Sequence, residues 1–292
     1  MIRVGKKFSK PTISRVVNGD IKMDEEEEKE IKERLDLLAV KKFPEYNRST
    51  LQKFITGGFI KVDGQVVKKS NLKFNENVKL ELSVPKADKN TDLEPRTIYE
   101  DEYVIVLDKP AGLLSMAKGG YCPEKTLEDY GLIVHRLDRG TSGVVILAKD
   151  QETQKFLRKQ FQDRKAHKTY YAIVEGIPKL ETARIDLPIA RDLKHPTTFR
   201  VDPSGKPSET YYKAIKSSDK YSLLELKPTT GRTHQLRVHL KYLGHPILGD
   251  PVYGNEKASR LYLHAKELEI TLPGGERRAF EAKLPQEFDN VL

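Results

Sequence analysis

Nine consecutive residues hold the densest chemistry in the chain: HisArgLeuAspArgGlyThrSerGly, residues 135–143. Asp138 stands between Arg136 and Arg139, in a turn rich in Gly, Thr and Ser that runs straight into the buried-strand pattern ValValIleLeuAla. An acid in that setting is presented at the mouth of a strand, where a nucleophile or a general base belongs. The neighbouring His135, Thr141 and Ser142 suit loop-shaping hydrogen bonds to the backbone better than reaction.

Rival chemistries fit less well. GlyThrSerGly lacks the four-residue gap and the terminal GlyLysSer or GlyLysThr of a phosphate-binding loop. HisArgLeuAsp also occurs in kinase catalytic loops, yet no glycine-rich loop, downstream Asn or AspPheGly accompanies it. His234 and His239 are five apart and fall on different faces of a helix, so they make no zinc pair. Neither a metal nor a nucleotide cofactor is expected.

The elements that must position Asp138 are legible as strand-like runs: YVIVLD, GVVILAK, KTYYAIVEG, ETYYKAI, YSLLELKP and LYLHAKELEITLP. Helical periodicity appears at 150–162 and 233–243, and the alternation predicts an α/β domain with a mixed sheet. In front of it, Ile31, Leu35, Leu38 and Ala39 recur at helical spacing after the acidic run Asp24–Glu28, with Lys41 and Lys42 suited to the helix C-terminus. A second helix is predicted over 49–55, with Ser49 and Gln52 at capping-box spacing and Gly57 and Gly58 at its exit. Asp63 and Gly64 lie between two apolar-rich runs as a hairpin turn, and 78–84 alternates as a further strand.

This reading divides 292 residues into a basic arm and acidic helix start over 1–32, a small α+β unit over 33–85, a polar linker over 86–97 and a larger domain over 98–292. The chain carries 52 Lys and Arg against 43 Asp and Glu, a formal +9 with 37% hydrophobic and 33% charged residues. Such a balance favours a polyanionic partner. From Glu33 to Lys86 eleven basic residues face six acids, so this short unit holds over half of the net charge. A single cysteine, Cys122, can form no internal disulfide, and no stretch approaches a membrane-spanning run or a cleavable leader. A cytoplasmic, monomeric protein is expected, with no membrane partner.

The nine-residue motif is very similar to the signature of the RluA-type pseudouridine synthases. AspLysProAlaGlyLeuLeuSer (108–115), LysThrTyrTyrAlaIleValGluGly (168–176) and ThrGlyArgThrHisGlnLeuArgValHisLeu (230–240) resemble that family's other motifs in the same order, and LeuGlyHisProIleLeuGlyAsp (243–250) extends the last. RLDLLAV, RSTLQKFITGGFIKVDGQVV and NENVKLEL resemble the RNA-binding domain named after small-subunit ribosomal protein S-four. The resemblance implies an α+β catalytic domain with a mixed, largely antiparallel sheet, and an enzyme that isomerises uridine in structured RNA without any cofactor. It implies that Asp138 is the catalytic carboxylate, acting by attack on sugar or base or by removing a sugar proton. By the same carry-over Arg237 pairs with it, while Tyr170 packs on the target uracil and is a candidate to take the ring proton. Arg136 is the candidate to fill the space left by a flipped nucleotide. Arg139, Arg232, His234 and Gln235, with Arg48, Lys53 and Lys61 in front, are expected RNA contacts. Large-subunit ribosomal RNA is the favoured substrate by analogy with relatives, with transfer RNA or a non-catalytic ribosome-assembly role as alternatives. The stretch SerMetAlaLysGlyGlyTyrCysPro departs from many relatives and bears on which RNA is chosen.

Overall fold

The computed structural model describes residues 32–84, 93–117 and 124–292. The basic arm, the acidic run, most of the expected linker and Cys122 lie outside the described residues.

The front unit runs β1 (Lys32–Arg34), α1 (Leu35–Lys42), α2 (Arg48–Gly57), β2 (Ile60–Val62), β3 (Gln65–Val66), β4 (Lys73–Asn75) and β5 (Leu80–Leu82). Leu35, Leu51, Phe54, Ile55 and Ile60 form its core. Its hairpin turns at Asp63 (φ 48°) and Gly64 (φ 81°), the left-handed pair that a two-residue turn between twisted strands requires. Two expectations need correction. Lys32–Arg34 is a strand rather than a helical turn, because its backbone finds partners in β4. The cap of α2 is Asn47, whose side chain accepts from the Thr50 amide, and Ser49 already lies inside the helix. Gln52 does not close a capping box; its amide donates to the buried carboxylate of Asp36 at 2.6 Å.

The larger unit comprises β6 (Arg96–Glu100), β7 (Val104–Lys109), β8 (Leu132–Ile133), β9 (Ser142–Ala148), α3 (Gln151–Gln162), β10 (His167–Glu175), β11 (Thr182–Asp186), β12 (Ile189–Arg191) and β13 (Phe199–Val201). It continues with β14 (Glu209–Ser217), β15 (Tyr221–Pro228), α4 (Gln235–Tyr242), β16 (Leu263–Thr271) and β17 (Arg277–Glu281). β6 starts within the segment read from sequence as linker.

Eight strands follow the order β11-β14-β15-β10-β16-β9-β7-β6, with β17 added to β16 and β8 to β9. Every pairing in this sheet is antiparallel except β9 with β16. β9 is buried along its whole length, as its unbroken apolar run requires. Where it meets β16, Gly143 has φ 109°, and a Cβ there would stand 2.1 Å from the Ala265 carbonyl oxygen. Only glycine permits that approach. α3, capped by the Asp150 side chain on the Thr153 amide, buries Leu157 against the sheet. The residues just before β9 and the middle of β10 are thereby held two strands apart.

Candidate active site

Asp138 lies in the loop between β8 and β9, and that loop is pinned along its length. At its start the Ile133 carbonyl accepts from Gln154 Nε2 (2.9 Å) and Arg158 Nη2 (2.7 Å), both on α3. His135 stacks on Phe161 of α3, with ring centroids 4.4 Å apart, and its Nε2 accepts from the Ile146 amide. Burial, reinforced by the Lys168 charge, pushes its pKa down to about 3, so His135 is a neutral structural ring. Next, Ser115 Oγ donates to the Leu137 carbonyl (2.7 Å) and accepts from the Leu137 amide (3.1 Å). Beyond Asp138, the Arg139 carbonyl accepts from the Gly112 amide and from Lys109 Nζ.

Lys109 is fully buried and donates to three carbonyls, those of Pro110, Leu113 and Arg139, at 2.9, 2.8 and 3.2 Å. Burial pushes its ammonium down to about 7, while the Asp138 charge pulls the other way. Three acceptors for three N–H bonds match a protonated amine, so Lys109 ties the 110–113 turn to the aspartate loop. Sequence reasoning passed over this residue; a lysine closing the apolar run VIVLDK is the available signal, because a lysine inside a strand must find acceptors.

The Asp138 carboxylate, 20% exposed, accepts from Arg237 Nη1 at 3.0 Å. Arg237 is on α4, whose residues 235–240 are all buried. Its remaining donors, Nε and Nη2, grip Asp250 in a two-pronged pair at 2.7 and 2.8 Å. A buried guanidinium needs such compensation. Burial alone would lower the Arg237 pKa, yet Asp250 and Asp138 raise it, so the cation is permanent. Burial alone would likewise raise the Asp250 pKa, yet the Arg237 hydrogen bonds and charge and the Val252 and Tyr253 amides hold it below the usual carboxylate range. Asp250 is a second residue missed from sequence, although it closes the stretch 243–250.

Tyr170 on β10 faces this pair across a cavity of about 100 Å³, with Lys168, Leu263 and His234 also on its walls. Burial, then the Asp138 charge, pushes the Tyr170 pKa up, so a neutral phenol and an apolar ring face are what the site offers. On the other side of Asp138 a wider cavity of about 700 Å³ opens beside Met116, Ala117 and Val252. The unusual 115–123 stretch therefore begins next to the aspartate, although residues 118–123 lie outside the described residues.

The other expected contacts divide. Arg136 and Arg232 line the small cavity. His234 has left-handed backbone (φ 57°), shares a hydrogen bond between its Nδ1 and the Tyr253 hydroxyl, and brings Nε2 to 3.8 Å from Asp138. Burial lowers its pKa against the opposing Asp138 charge, which leaves the ring neutral at neutral pH. Gln235 is not an RNA contact: it is buried, accepts from Thr230 Oγ1 and the Arg232 amide, and donates to the Glu209 carbonyl and Thr210, which exhausts its amide. Arg139 is engaged by Glu124 (2.6 Å) and the Gly112 carbonyl as a clasp between loops. Arg48 is likewise held by Asp36 at 2.9 Å, whereas Lys53 and Lys61 are exposed. Among the described residues no group of three or more His, Cys, Asp or Glu could hold a metal ion.

Comparison with known proteins identifies the family. A family model described as RNA pseudouridylate synthase matches residues 103–242, and the S4 domain model matches 33–79. The ribosomal large subunit pseudouridine synthase D of Borreliella burgdorferi is 37% identical over 285 residues, covering 87% of each chain. An uncharacterized RNA pseudouridine synthase of Aquifex aeolicus is 37% identical over 249 residues, 78% of each chain. The solved structure of human RNA pseudouridylate synthase domain containing 4 superposes with a TM-score of 0.56 at 27% identity, covering 67% of this chain and 91% of that one. With a sequence match spanning both units and a shared fold for the larger one, the chain belongs to the RNA pseudouridine synthases, isomerases that turn uridine into pseudouridine.

Proposed function

We propose that this enzyme isomerises uridines in large-subunit ribosomal RNA, with Asp138 as the catalytic carboxylate. The reading rests above all on one observation: a partly exposed carboxylate, fixed by a buried arginine, borders a cavity of nucleobase size that is floored by a tyrosine. The reaction breaks the bond between C1′ and N1 of uridine, turns the detached uracil, and joins C1′ to C5. The C5 proton leaves, N1 gains one, and nothing is oxidised. Arg237 keeps Asp138 ionised and aimed. Tyr170 packs against the uracil, and its neutral phenol takes the C5 proton only as its own hydroxyl proton passes to water. Arg136, at the rim, fills the stack that the flipped nucleotide leaves.

Ribosomal RNA is supported by the Borreliella relative, which carries the large ribosomal subunit in its name. The front unit, through exposed Lys53 and Lys61, adds phosphate contacts and thus affinity. A reducing, cytoplasmic setting fits the single cysteine, which can form no internal disulfide. The test maps pseudouridine across total RNA from cells with the gene intact, deleted, or carrying Asp138→Ala. Sites absent from both altered strains establish the activity and the substrate; an identical map in all three rules the proposal out.

A further inference from the structure

Beside the small cavity at Asp138, and sharing Arg136, Lys168 and Arg232 with it, lies a larger one of about 450 Å³ that reaches Arg164 at the end of α3. Four cationic side chains line it and no carboxylate does. Their charges are poorly compensated within the protein. Lys168 Nζ donates only to the Thr230 carbonyl, at 3.3 Å, and Arg232 reaches only the Pro207 carbonyl through Nε. Among the described residues the Arg136 and Arg164 side chains make no hydrogen bond or ion pair. Arg164 also holds φ 59°, the left-handed position that closes α3, where its amide donates to the Phe161 carbonyl and the Lys165 amide to the Gln160 carbonyl. Burial pushes the Lys168 ammonium down to about 8, the mark of a cation lacking an anion.

We infer that this cavity is a phosphate-binding site, in which Arg164, Lys168 and Arg232 hold a phosphodiester flanking the flipped uridine. The inference rests on the reading that the target uridine enters at Asp138. A bound phosphate draws in close to Arg164, Lys168 and Arg232 without displacing any internal ion pair, and it fixes the backbone on one side of the base before the glycosidic bond breaks. Arg164 and Lys168 thereby become substrate-positioning residues.

The test uses the full chain and a short hairpin from large-subunit RNA with a single uridine in its loop. Three versions are made: all-phosphate, and with a neutral methylphosphonate on either side of that uridine. Arg164→Gly removes the guanidinium and relieves the backbone, so folding is not at stake; Lys168→Gln is combined with it. The double variant should bind the all-phosphate hairpin at least tenfold more weakly, raising KM more than it lowers kcat. Its salt slope should be shallower by about 0.7–0.9 for each phosphate no longer neutralised. One neutral linkage should weaken wild-type binding and leave the double variant unchanged. Equal penalties in both proteins, or none in wild type, overturn the site. Competition by inorganic phosphate or uridine monophosphate with no effect of either neutral linkage assigns it to a free anion instead and overturns it too. Binding reads this inference even if no pseudouridine forms, so failure of the functional proposal is separately visible.

Discussion

Asp138 owes its readiness to groups that never need to touch RNA. Arg237 is rigid because Asp250 occupies two of its donor positions, leaving Nη1 for Asp138. Asp138→Asn should cut turnover by about a thousandfold while RNA affinity stays within a few-fold, measured by single-turnover kinetics beside filter binding. Loss of binding in proportion would contradict the assignment. Asp250→Asn should act through Arg237. Removing one partner of a buried pair destabilises by about 3 kcal/mol, and a loosened arginine should lower kcat with KM little changed. Thermal denaturation and a kcat against KM comparison check both halves. Asp138 was legible in sequence because its motif is contiguous. Asp250 was not, because its meaning comes from a buried arginine thirteen residues earlier, a relation that only the fold supplies.

At the scale of elements, two buried charges organise turns. Lys109→Met deletes three hydrogen bonds beneath the aspartate loop and leaves three carbonyls without a donor, so a loss of about 2–3 kcal/mol is expected, read from chemical denaturation. In the front unit Asp36 has no exposure and is gripped by Arg34, Gln52 and Arg48. Burial raises its pKa, but these three partners outweigh burial and bring it well below the ordinary range. A depressed acid stabilises above its unfolded pKa, and that contribution disappears as pH falls from about 4 toward the folded value. Asp36→Asn should therefore flatten the acid limb of the stability curve. The strands of apolar runs and the helices at 150–162 and 233–243 were readable from periodicity. β8, β11, β12 and β13 were not: they are short or polar, and they exist through pairing rather than through their own pattern. The cap of α2 falls two residues earlier than its spacing suggests because Ser49 and Asn47 are both good caps, and tertiary demand from Asp36 took Gln52.

For the whole molecule, the proposal gives the front unit a share of RNA affinity in addition to the contacts made around Asp138. Lys53→Gln with Lys61→Gln should make RNA binding less steeply salt-dependent, by about 0.7–0.9 for each phosphate left without its lysine, with single-turnover rates at saturating RNA unchanged. Affinities measured across a range of salt concentrations test this, and an unaltered slope would place those lysines off the RNA. The charge surplus was visible in composition, but its division into engaged and available cations was not. Arg48 and Arg139 look like Lys53 in sequence, and only the carboxylates of Asp36 and Glu124 separate them.

The tightness of the well in front of Asp138 has a further consequence. In the proposed reaction the base is detached once the glycosidic bond opens, and water reaching the sugar first would leave a permanent lesion in place of a modified nucleotide. A chamber of about 100 Å³ keeps the loose base close to Asp138, so the base itself is what shields the sugar from water. Leu263→Ala, which hollows out one wall, should release detectable free uracil and leave strand-labile abasic sites where the parent enzyme leaves none.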